Sequence, residues 1–463
     1  MFRGRVRQIH FVGVGGIGMS GLAEIVHELG FDVSGSDLRS NSTTQRLSAL
    51  GVKIFLGHRA ANVADSDVVV YSSAIRPDNP ELVEAINLGI PVIARAELLA
   101  ELMRVKYGVA VAGSHGKTTT TSLVATVLRA AGFDPTVAVG GKMAALGSNA
   151  KLGAGDLMVA EADESDGSFL HLSPTIAVVT SIDPEHLDYW GSHERIKEAF
   201  VQFCSRVPFY GLAVLCLDHP DVQSILPAVR RRHTTYGFSP QAEYRAKDVQ
   251  AFGREMRFNV YKHGLPLGEF SVRTPGRHNV LNSLAAIAVA DELEVPIDVI
   301  QQSLGDFDGV ARRFTVIGES RGIMLVDDYG HHPAEIRATL EAARSGFDRR
   351  LVIAFQPHRY TRTRDLFEQF VTSFNLADIV VVTDIYAAGE VPIQGVSGES
   401  LARALRQHGH KRVHYVQNKE DLPGFLHKIV QSGDVVIALG AGDINKSVRE
   451  LLERLESEHE DGA

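Results

Sequence analysis

The chain has 463 residues, of which 44% are hydrophobic and 22% are charged, and its formal net charge at pH 7 is −9. This length predicts roughly three globular domains, and the acidic balance argues against a nucleic-acid-binding protein, which needs a basic face. Because the sequence contains no run of about 18 apolar residues and no apolar run of signal-peptide length before the first strand, we expect a cytoplasmic protein without membrane insertion.

The cysteine content excludes two further classes. Cys204 and Cys216 are the only cysteines, and neither has a Cys-x-x-Cys partner. This spacing predicts neither a zinc site nor a disulfide scaffold. We expect two buried thiols in a reducing compartment.

Runs of β-branched residues alternate with helical patterns along most of the chain, which is typical of parallel sheets built from β-α-β units. The strands predicted before residue 106 are Gln8–Val12, Asp32–Ser36, Val52–Phe55, Val68–Tyr71 and Pro91–Ala94. Those predicted in the middle are Val109–Ala112, Leu157–Ala160, Ile176–Thr180 and Leu212–Leu217, followed by a hairpin-like section from residue 243 to 272. Those predicted near the C-terminus are Ile323–Asp327, Leu351–Phe355, Ile379–Thr383, Val413–Val416 and Val435–Leu439.

We therefore predict an α/β protein of three domains. Residues 1–106 form a Rossmann-like domain, residues 107–318 a central domain of the phosphate-loop (P-loop) ATPase type, and residues 319–463 a second Rossmann-like domain. The central sheet is expected to be mostly parallel, with antiparallel strands appended. Gly132 is predicted to cap the helix that ends near Ala131.

The first glycine-rich stretch is HFVGVGGIGMS, in which a short strand runs into a Gly-x-Gly-x-x-Gly turn at Gly13, Gly15 and Gly18. Such a turn lets the free N–H groups of the next helix bind a pyrophosphate. Asp37, about 20 residues further on, would complete a dinucleotide-binding fingerprint. Taken alone, the stretch favours NAD, although the same geometry suits another phosphate-bearing ligand.

The second glycine-rich stretch, GSHGKTTTT, is a shortened phosphate loop. Gly113, Gly116, Lys117 and Thr118 lie between a predicted strand and a helix, where N–H groups and the lysine can hold phosphates and the threonine can ligate magnesium. The outer glycine of the usual motif is replaced by Val111. The alternative is a simple helix cap, and ATP is the predicted ligand.

Two acidic stretches end neighbouring predicted strands and could hold the magnesium ion of a nucleotide. In LMVAEADESD the strand ends at Glu161, which is followed by Asp163, Glu164 and Asp166. In VVTSIDPEHLD another strand leads to Asp183 and His186. The alternative is an acidic loop exposed to water.

Seven stretches together resemble the Mur ligase family, in the family's order and from about residue 8 to about residue 450. They are HFVGVGGIGMSGLAE, AGSHGKTTTT, EADESD, SIDPEHLDYW, GRHNVLNSLAA, DDYGHHPAEI and QPHRYTRTRDLF. The resemblance implies peptidoglycan precursor synthesis in a bacterial cytoplasm. The branch that it indicates joins L-alanine to UDP-N-acetylmuramate through an acyl phosphate, using ATP and two Mg²⁺ ions and releasing ADP and phosphate.

The resemblance also assigns the substrate-binding residues of the first domain. The opening glycine turn would bind the UDP group, with no nicotinamide cofactor, through the backbone of Gly15, Gly16, Ile17 and Gly18. Asp37 and Ser73 would lie along the nucleotide or sugar. A turn-capping role is the alternative for Asp37.

The ATP and metal sites are implied in the same way. The implied ATP-binding residues are Gly113, Ser114, His115, Gly116, Lys117, Thr118, Thr119, Asn279, Asn282, Arg313 and Asp328. Thr118, Glu161 and His186 are the implied metal ligands. The alternatives are an ordinary helix-start histidine for His186 and helix-capping amides for the two asparagines. Arg313 would reach the γ-phosphate, with Arg312 beside it as the control residue.

In the third domain, the resemblance implies a loop that closes on ATP and the amino acid and includes Tyr329 and His331. For the chain as a whole, the resemblance implies the catalytic residues Lys117, His186, Arg313 and His331. The last of these could orient the amine or accept its proton. Arg359 and Arg362 would share a helical face if that stretch is helical, and could clamp the anionic substrate. A surface ion-pair network is the alternative for this arginine pair.

One position departs from the pattern of several Mur ligases, which carry a carbamylated lysine fourteen residues after the motif histidine. Counting from His186 reaches Phe200, and Lys197 is out of register. We read this absence as a marker of the alanine-adding branch and expect no carbamate.

Three other functions are weighed against this interpretation. A murein-tripeptide ligase would use the same sugar nucleotide, but its acidic motif usually has tyrosine where Ser165 stands. An NAD(P)-dependent oxidoreductase would use the first glycine turn alone, and a P-loop switch or motor would hydrolyse ATP without either substrate. The sequence leaves the oligomeric state open, a homodimer included.

Overall fold

The computed structural model describes residues 6–72, 74–140 and 149–460, and within these it leaves out the side chains of residues 17 and 458–460. Ser73, a predicted substrate contact, lies outside this description. The predicted α/β class is confirmed, because the described strands form three sheets that follow one another along the chain.

The first sheet is parallel throughout, in the order β3-β2-β1-β4-β5. Every strand predicted here is confirmed to within one residue at either end. The strands are β1 (Gln8–Val12), β2 (Asp32–Asp37), β3 (Lys53–Leu56), β4 (Val68–Tyr71) and β5 (Val92–Ala94), and the helices are α1 (Ile17–Glu28), α2 (Ser42–Ala49), α3 (Pro80–Asn87) and α4 (Arg95–Arg104). Because β1 is the central strand, its carboxyl end delivers the chain to the first glycine turn in the middle of the sheet.

The second sheet has the order β15-β14-β13-β12-β11-β10-β6-β9-β7-β8. Its strands are β6 (Tyr107–Ala112), β7 (Thr136–Ala138), β8 (Ala150–Lys151), β9 (Leu157–Glu161), β10 (Ile176–Val179), β11 (Leu212–Cys216), β12 (His233–Gly237), β13 (Tyr244–Phe252), β14 (Glu255–Lys262) and β15 (Leu265–Val272). Its helices are α5 (Lys117–Ala130), α6 (Leu187–Trp190), α7 (His193–Ser205), α8 (Pro220–Ile225), α9 (Arg277–Glu292) and α10 (Ile297–Gly305).

The second sheet confirms the predicted change of pattern. The strands around β6 pair in parallel, whereas turns of two residues connect β13 to β14 and β14 to β15, a spacing that only hairpins allow. Gly132 follows α5 with φ +84°, as predicted for a left-handed cap. The strands β7, β8 and β12 were not predicted, because they are short or polar.

The third sheet has the order β16-β17-β21-β18-β19-β20, and only its β16–β17 pair is antiparallel. Its strands are β16 (Thr315–Ser320), β17 (Ile323–Asp328), β18 (Arg350–Phe355), β19 (Ile379–Thr383), β20 (Val413–Val416) and β21 (Asp434–Leu439). Its helices are α11 (Pro333–Gly346), α12 (Tyr360–Asp365), α13 (Phe367–Val371), α14 (Gly398–Gln407), α15 (Leu422–Ile429) and α16 (Asn445–Glu460). The domain boundaries at residues 106 and 318 stay predictions.

The chain forms two compact units. The first comprises the residues up to Asp248 together with Phe258–Ser271 and Asn279–Asp308, and the second comprises Val249–Arg257, Val272–His278 and the residues from Gly309 onward. In the first unit, one apolar core runs without a break from the helices of the first sheet to the strands of the second. In the second unit, separate apolar clusters cover the third sheet.

Two expectations drawn from composition can be compared with this fold. Cys204 and Cys216 are free, buried thiols, as predicted. Among the described residues, no helix combines the length and the apolar character that a bilayer crossing requires.

A buried carboxylate ties the first sheet together. Glu81, near the start of α3, is fully buried and accepts hydrogen bonds from Ser36 Oγ at 2.6 Å, Asn62 Nδ2 at 2.5 Å and the His58 ring at 2.9 Å. The His10 ring lies 3.6 Å away. Burial alone would raise the pKa of Glu81, but these polar contacts outweigh it and lower the pKa to about 2.

We expect Glu81→Gln to destabilise the protein by up to about 3 kcal/mol at pH 7, because a pKa lowered from 4.5 to about 2 stabilises the ionised, folded form. The loss should shrink as the pH falls below about 4.5 and vanish well below the folded-state pKa of about 2, where the wild-type carboxylate is protonated in both states. Urea denaturation followed by circular dichroism at several pH values measures this difference. A loss that is equal at pH 7 and pH 3 would contradict the assignment.

Candidate active site

The second glycine turn joins the end of β6 to the start of α5. Gly113 and Gly116 both have positive φ, +134° and +82°. A Cβ atom at Gly113 would lie 2.1 Å from Thr180 Oγ1, and one at Gly116 would lie 2.6 Å from Asn282 Oδ1. Both positions therefore require glycine, and the turn opens directly onto the free N–H groups of α5.

Lys117, the first residue of α5, is held back on its own loop. Its Nζ donates to the Gly113 carbonyl at 2.6 Å and to both oxygens of Glu164 at 2.8 and 2.9 Å. Burial alone would lower the pKa of Lys117, but the carboxylates of Glu164, Asp163 and Glu161 outweigh it and raise that pKa. The lysine is therefore a buried cation whose charge is balanced by the EADESD stretch.

Two of the predicted metal ligands are in direct contact. Glu161 ends β9, and its Oε2 accepts hydrogen bonds from Thr118 Oγ1 at 2.9 Å and from the Gly140 N–H at 2.8 Å. Oxygen ligands of this kind are those that Mg²⁺ prefers, so the pair fits the predicted metal. His186, the third predicted ligand, is the N-cap residue of α6 with φ +55°, and its Nε2 lies 3.8 Å from Glu185 Oε2.

The loop after β10 packs against the phosphate loop. Ser114 Oγ accepts the Asp183 N–H at 2.7 Å, and the His115 N–H donates to Ser181 Oγ at 2.9 Å. The His115 ring lies 3.3 Å from Asp183 Oδ2 and 3.2 Å from Glu185 Oε1. Ser181 and Glu185 were not among the predicted site residues, although both follow the predicted strand end in the quoted motif.

Asn279 lies in the first turn of α9, and Asn282 lies one turn further along the helix. Both are buried. Asn282 Oδ1 accepts from Thr120 Oγ1 at 3.1 Å, and its Nδ2 donates to Asn279 Oδ1 at 3.0 Å. These amides therefore tie α9 to α5 behind the glycine turn. Thr119, also predicted, is buried in α5.

The first glycine turn is held by the end of β2. The Gly15 N–H donates to Asp37 Oδ2 at 2.9 Å, and the Arg39 N–H to Oδ1 at 3.3 Å. Asp37 thus makes the contacts of the turn-capping alternative, and its role as a substrate ligand stays a prediction. Gly16 is the N-cap of α1, so Ile17 and Gly18 place their N–H groups in its first turn.

Both glycine turns and the acidic stretch belong to the first compact unit, and the first glycine turn and the acidic stretch line a cavity of about 260 Å³. Gly16 and Gly18 line it on one side. Glu161 and Asp163 line it on the other. Two residues predicted for the sugar nucleotide, Gly16 and Gly18, therefore share one cleft with one predicted magnesium ligand, Glu161.

The remaining predicted residues belong to the second unit. Arg313 Nη1 lies 3.2 Å from Glu335 Oε1, and its guanidinium lies 5.4 Å from the centroid of the Tyr329 ring. His331 Nδ1 lies 3.0 Å from the Tyr329 carbonyl, and burial lowers the pKa of His331. Asp328 accepts the Phe314 and Gly330 N–H groups at 2.8 and 2.7 Å, and burial raises its pKa.

The arginine pair differs from expectation in one respect. α12 begins at Tyr360, so Arg362 lies in the helix while Arg359 is its N-cap residue with φ +69°. Arg359 therefore precedes the helix, and only Arg362 of the pair is a helical residue. Arg362 Nη1 lies 3.2 Å from His358 Nδ1, and burial together with the positive charge of the neighbouring arginines lowers the pKa of His358 to about 4.

Arg312 is unsuitable as a control residue. Its guanidinium donates to the Gly440 carbonyl at 2.5 Å and lies 3.5 Å from Asp327 Oδ1. A substitution there would break contacts between the strand ends of the third sheet.

Phe200 has a structural role. It is fully buried, and its ring lies 5.2 Å from that of Phe169. Lys197 lies 3.9 Å from both Glu194 and Asp221. The position fourteen residues after His186 is therefore filled by an aromatic core residue.

We expect Gly116→Ala to weaken ADP binding at least tenfold, because the added Cβ would contact Asn282 and strain a left-handed residue. Gly132→Ala is the matched control, since Gly132 has a similar φ of +84° with no atom within 4 Å of the added Cβ. It should cost about 1–2 kcal/mol of stability and leave ADP affinity unchanged. Calorimetric titration with ADP distinguishes the two, and wild-type affinity in Gly116→Ala would contradict the phosphate-loop assignment.

Comparison with known proteins places this geometry in a family. Three family models match the chain in succession: "Mur ligase family, catalytic domain" over residues 8–107, "Mur ligase middle domain" over residues 111–290 and "Mur ligase, glutamate ligase domain" over residues 312–442.

Individual proteins agree with this match. The chain is 69% identical over 460 residues to a UDP-N-acetylmuramate–L-alanine ligase of Sorangium cellulosum, covering 99% of this chain and 98% of that protein. It resembles the crystal structure of UDP-N-acetylmuramate-alanine ligase from Thermotoga maritima, with a TM-score of 0.83, 33% identity and coverage of 98% and 100%. A murein peptide ligase from Psychrobacter arcticus shares the fold, with a TM-score of 0.70, 24% identity and coverage of 97% and 98%. The chain therefore belongs to the Mur ligase family.

Proposed function

We propose that this chain joins L-alanine to UDP-N-acetylmuramate in peptidoglycan precursor synthesis, converting ATP to ADP and phosphate. The observation that carries the proposal is the cleft of the first unit, which is lined by a glycine turn suited to a diphosphate and by Glu161 and Asp163. Glu161 in turn accepts a hydrogen bond from Thr118 of the phosphate loop. The relatives that bear the name of this activity cover nearly the whole chain at 56–69% identity. We place the reaction in the cytoplasm, where ATP is available.

The proposed binding sites follow the glycine turns. The backbone of Gly15, Gly16, Ile17 and Gly18 binds the UDP diphosphate, with Asp37 and Ser73 near the nucleotide or sugar. The N–H donors to the diphosphate are those of Ile17 and Gly18, because the Gly15 N–H donates to Asp37 and the Gly16 N–H to the Gly13 carbonyl. Residues 113–119 hold the ATP phosphates, and Asn279 and Asn282 lie toward its base. Thr118, Glu161 and His186 hold Mg²⁺, which when bound lowers the negative charge shared by the two anionic reactants.

In the first chemical step, an oxygen of the lactyl carboxylate attacks the γ-phosphorus of ATP. The bond between this phosphorus and the bridging oxygen of ADP breaks, which gives an acyl phosphate and ADP. Both reactants are anionic, so the step depends on positioning and on positive charge from Lys117 and Arg313. The raised pKa of Lys117 supports a permanent cation at this position.

In the second step, the amine of L-alanine attacks the acyl carbon and phosphate leaves. The ammonium group must first lose a proton, and we assign its acceptance to His331. Burial lowers the pKa of His331, which keeps the ring neutral. Its Nδ1 faces the Tyr329 carbonyl, so Nδ1 carries the hydrogen and Nε2 remains an acceptor. Tyr329, Arg359 and Arg362 hold the amino acid and the anionic substrate, and Asp328 orients the loop.

We expect Lys117→Ala to lower kcat/KM for ATP roughly 100- to 1,000-fold, because the γ-phosphate loses its nearest protein cation. Lys197→Ala is the control and should retain wild-type turnover, since no carbamate forms there. Phosphate release measured with ATP, magnesium, UDP-N-acetylmuramate and L-alanine provides the readout, with circular dichroism to verify folding. A folded Lys117→Ala protein with full activity would refute the assignment.

The same assay separates the proposal from its rivals. We expect phosphate release to require UDP-N-acetylmuramate and to be faster with L-alanine than with a free murein tripeptide. Release without either substrate would indicate a P-loop hydrolase instead. Tight binding of NAD(P) without binding of the uridine sugar would indicate an oxidoreductase.

A further inference from the structure

Arg95 lies against the first glycine turn but belongs to neither glycine-rich motif. It is the first residue of α4, directly after β5, and its side chain lies beside Gly18 in the first turn of α1. A Cβ atom at Gly18 would lie 3.2 Å from Arg95 Cδ and 3.3 Å from Arg95 Nη1. The guanidinium is therefore beside the helix end to which we assign the diphosphate.

The guanidinium of Arg95 is not paired with a carboxylate in the described part of the chain. Within residues 6–72, 74–140 and 149–460 it makes no hydrogen bond and no ion pair, and it is only partly exposed. Among the described residues that line the 260 Å³ cleft, Arg95 is the basic one, whereas Glu161 and Asp163 are acidic. The acidic pair already has a cation in Lys117, which lowers the pKa of Asp163 more than Arg95 does.

A diphosphate at this position needs more positive charge than the helix offers. The N-terminus of a helix supplies the equivalent of about half an elementary charge, whereas the diphosphate of a sugar nucleotide carries two negative charges. A guanidinium is planar and presents paired N–H donors, which match two phosphate oxygens. Arg95 stands where such a pair can form with a group seated on the first turn of α1.

We infer that Arg95 binds the diphosphate of the sugar-nucleotide substrate, together with the N–H groups of the first glycine turn. This inference rests on the proposed function and adds a side chain to a site otherwise made of backbone. Two other roles for Arg95 are possible from its position: it could only balance the charge of Asp163, or it could bind the lactyl carboxylate of the substrate.

The test compares Arg95→Ala, Arg95→Lys and a matched control, Arg104→Ala. Arg104 ends the same helix, is exposed and lies 3.3 Å from Glu101. Calorimetric titrations use UDP-N-acetylmuramate, UDP-N-acetylglucosamine, which lacks the lactyl carboxylate, and ADP. Steady-state kinetics give kcat and the KM of each substrate.

We expect Arg95→Ala to weaken both uridine sugars by the same factor, roughly 10- to 100-fold, as for a lost hydrogen-bonded charge. ADP affinity and the KM for ATP should stay within about twofold of wild type, Arg95→Lys should fall between, and Arg104→Ala should match wild type. A loss confined to UDP-N-acetylmuramate would overturn the inference in favour of the lactyl carboxylate. A loss of affinity confined to ATP or magnesium would overturn the inference and indicate that Arg95 only balances the charge of Asp163.

Failure of this inference and failure of the proposed function give different results. If the wild-type protein forms the product and Arg95→Ala binds both uridine sugars normally, the inference alone is wrong. If the wild-type protein neither binds UDP-N-acetylmuramate nor turns it over, the proposed function is wrong and this inference falls with it.

Discussion

One continuous apolar cluster, shared by the first and second sheets, fixes the two glycine turns of the first compact unit with respect to each other. Side chains of α1 and α4, such as Leu22 and Leu99, belong to the same buried cluster as Ala110 of β6 and Met158 of β9. Close-packed interiors deform little. Core packing therefore sets the width of the cleft between Gly18 and Glu161. The polar residues that line the cleft are not required to hold the two sheets together.

Within this frame, the buried charges follow a simple rule. A charge removed from water must be paired, and the structure pairs Lys117 with Glu164 and surrounds Glu81 with hydrogen-bond donors. The two cases serve different ends. Glu81 links strands of the first sheet, whereas Lys117 lies at the glycine turn to which we assign the ATP phosphates.

The sequence predicted the parts of this molecule that depend on local pattern. The strands next to both glycine turns were placed to within two residues because apolar runs and glycine turns are local signals. The acidic stretch was predicted to gather around the phosphate loop because parallel strands end at one edge of a sheet. Neither inference required knowledge of a long-range contact.

What the sequence did not predict depends on contacts between distant residues. Asp37 accepts a hydrogen bond from the Gly15 N–H, Arg312 donates one to the Gly440 carbonyl, and Arg95 lies beside Gly18. Each of these involves a side chain whose partner is more than 20 residues away. Periodicity carries no information about such pairs, since it reports which face of an element is buried and not what it meets there.

The packing around Phe200 disfavours a lysine at this position. Its ring is packed against Phe169, which in turn lies 5.2 Å from Phe203. A lysine introduced there would place an ionisable group among aromatic rings, and its charge would have no hydrated path to the surface. A lysine at position 200 of this chain would therefore also require changes in Phe169 and Phe203.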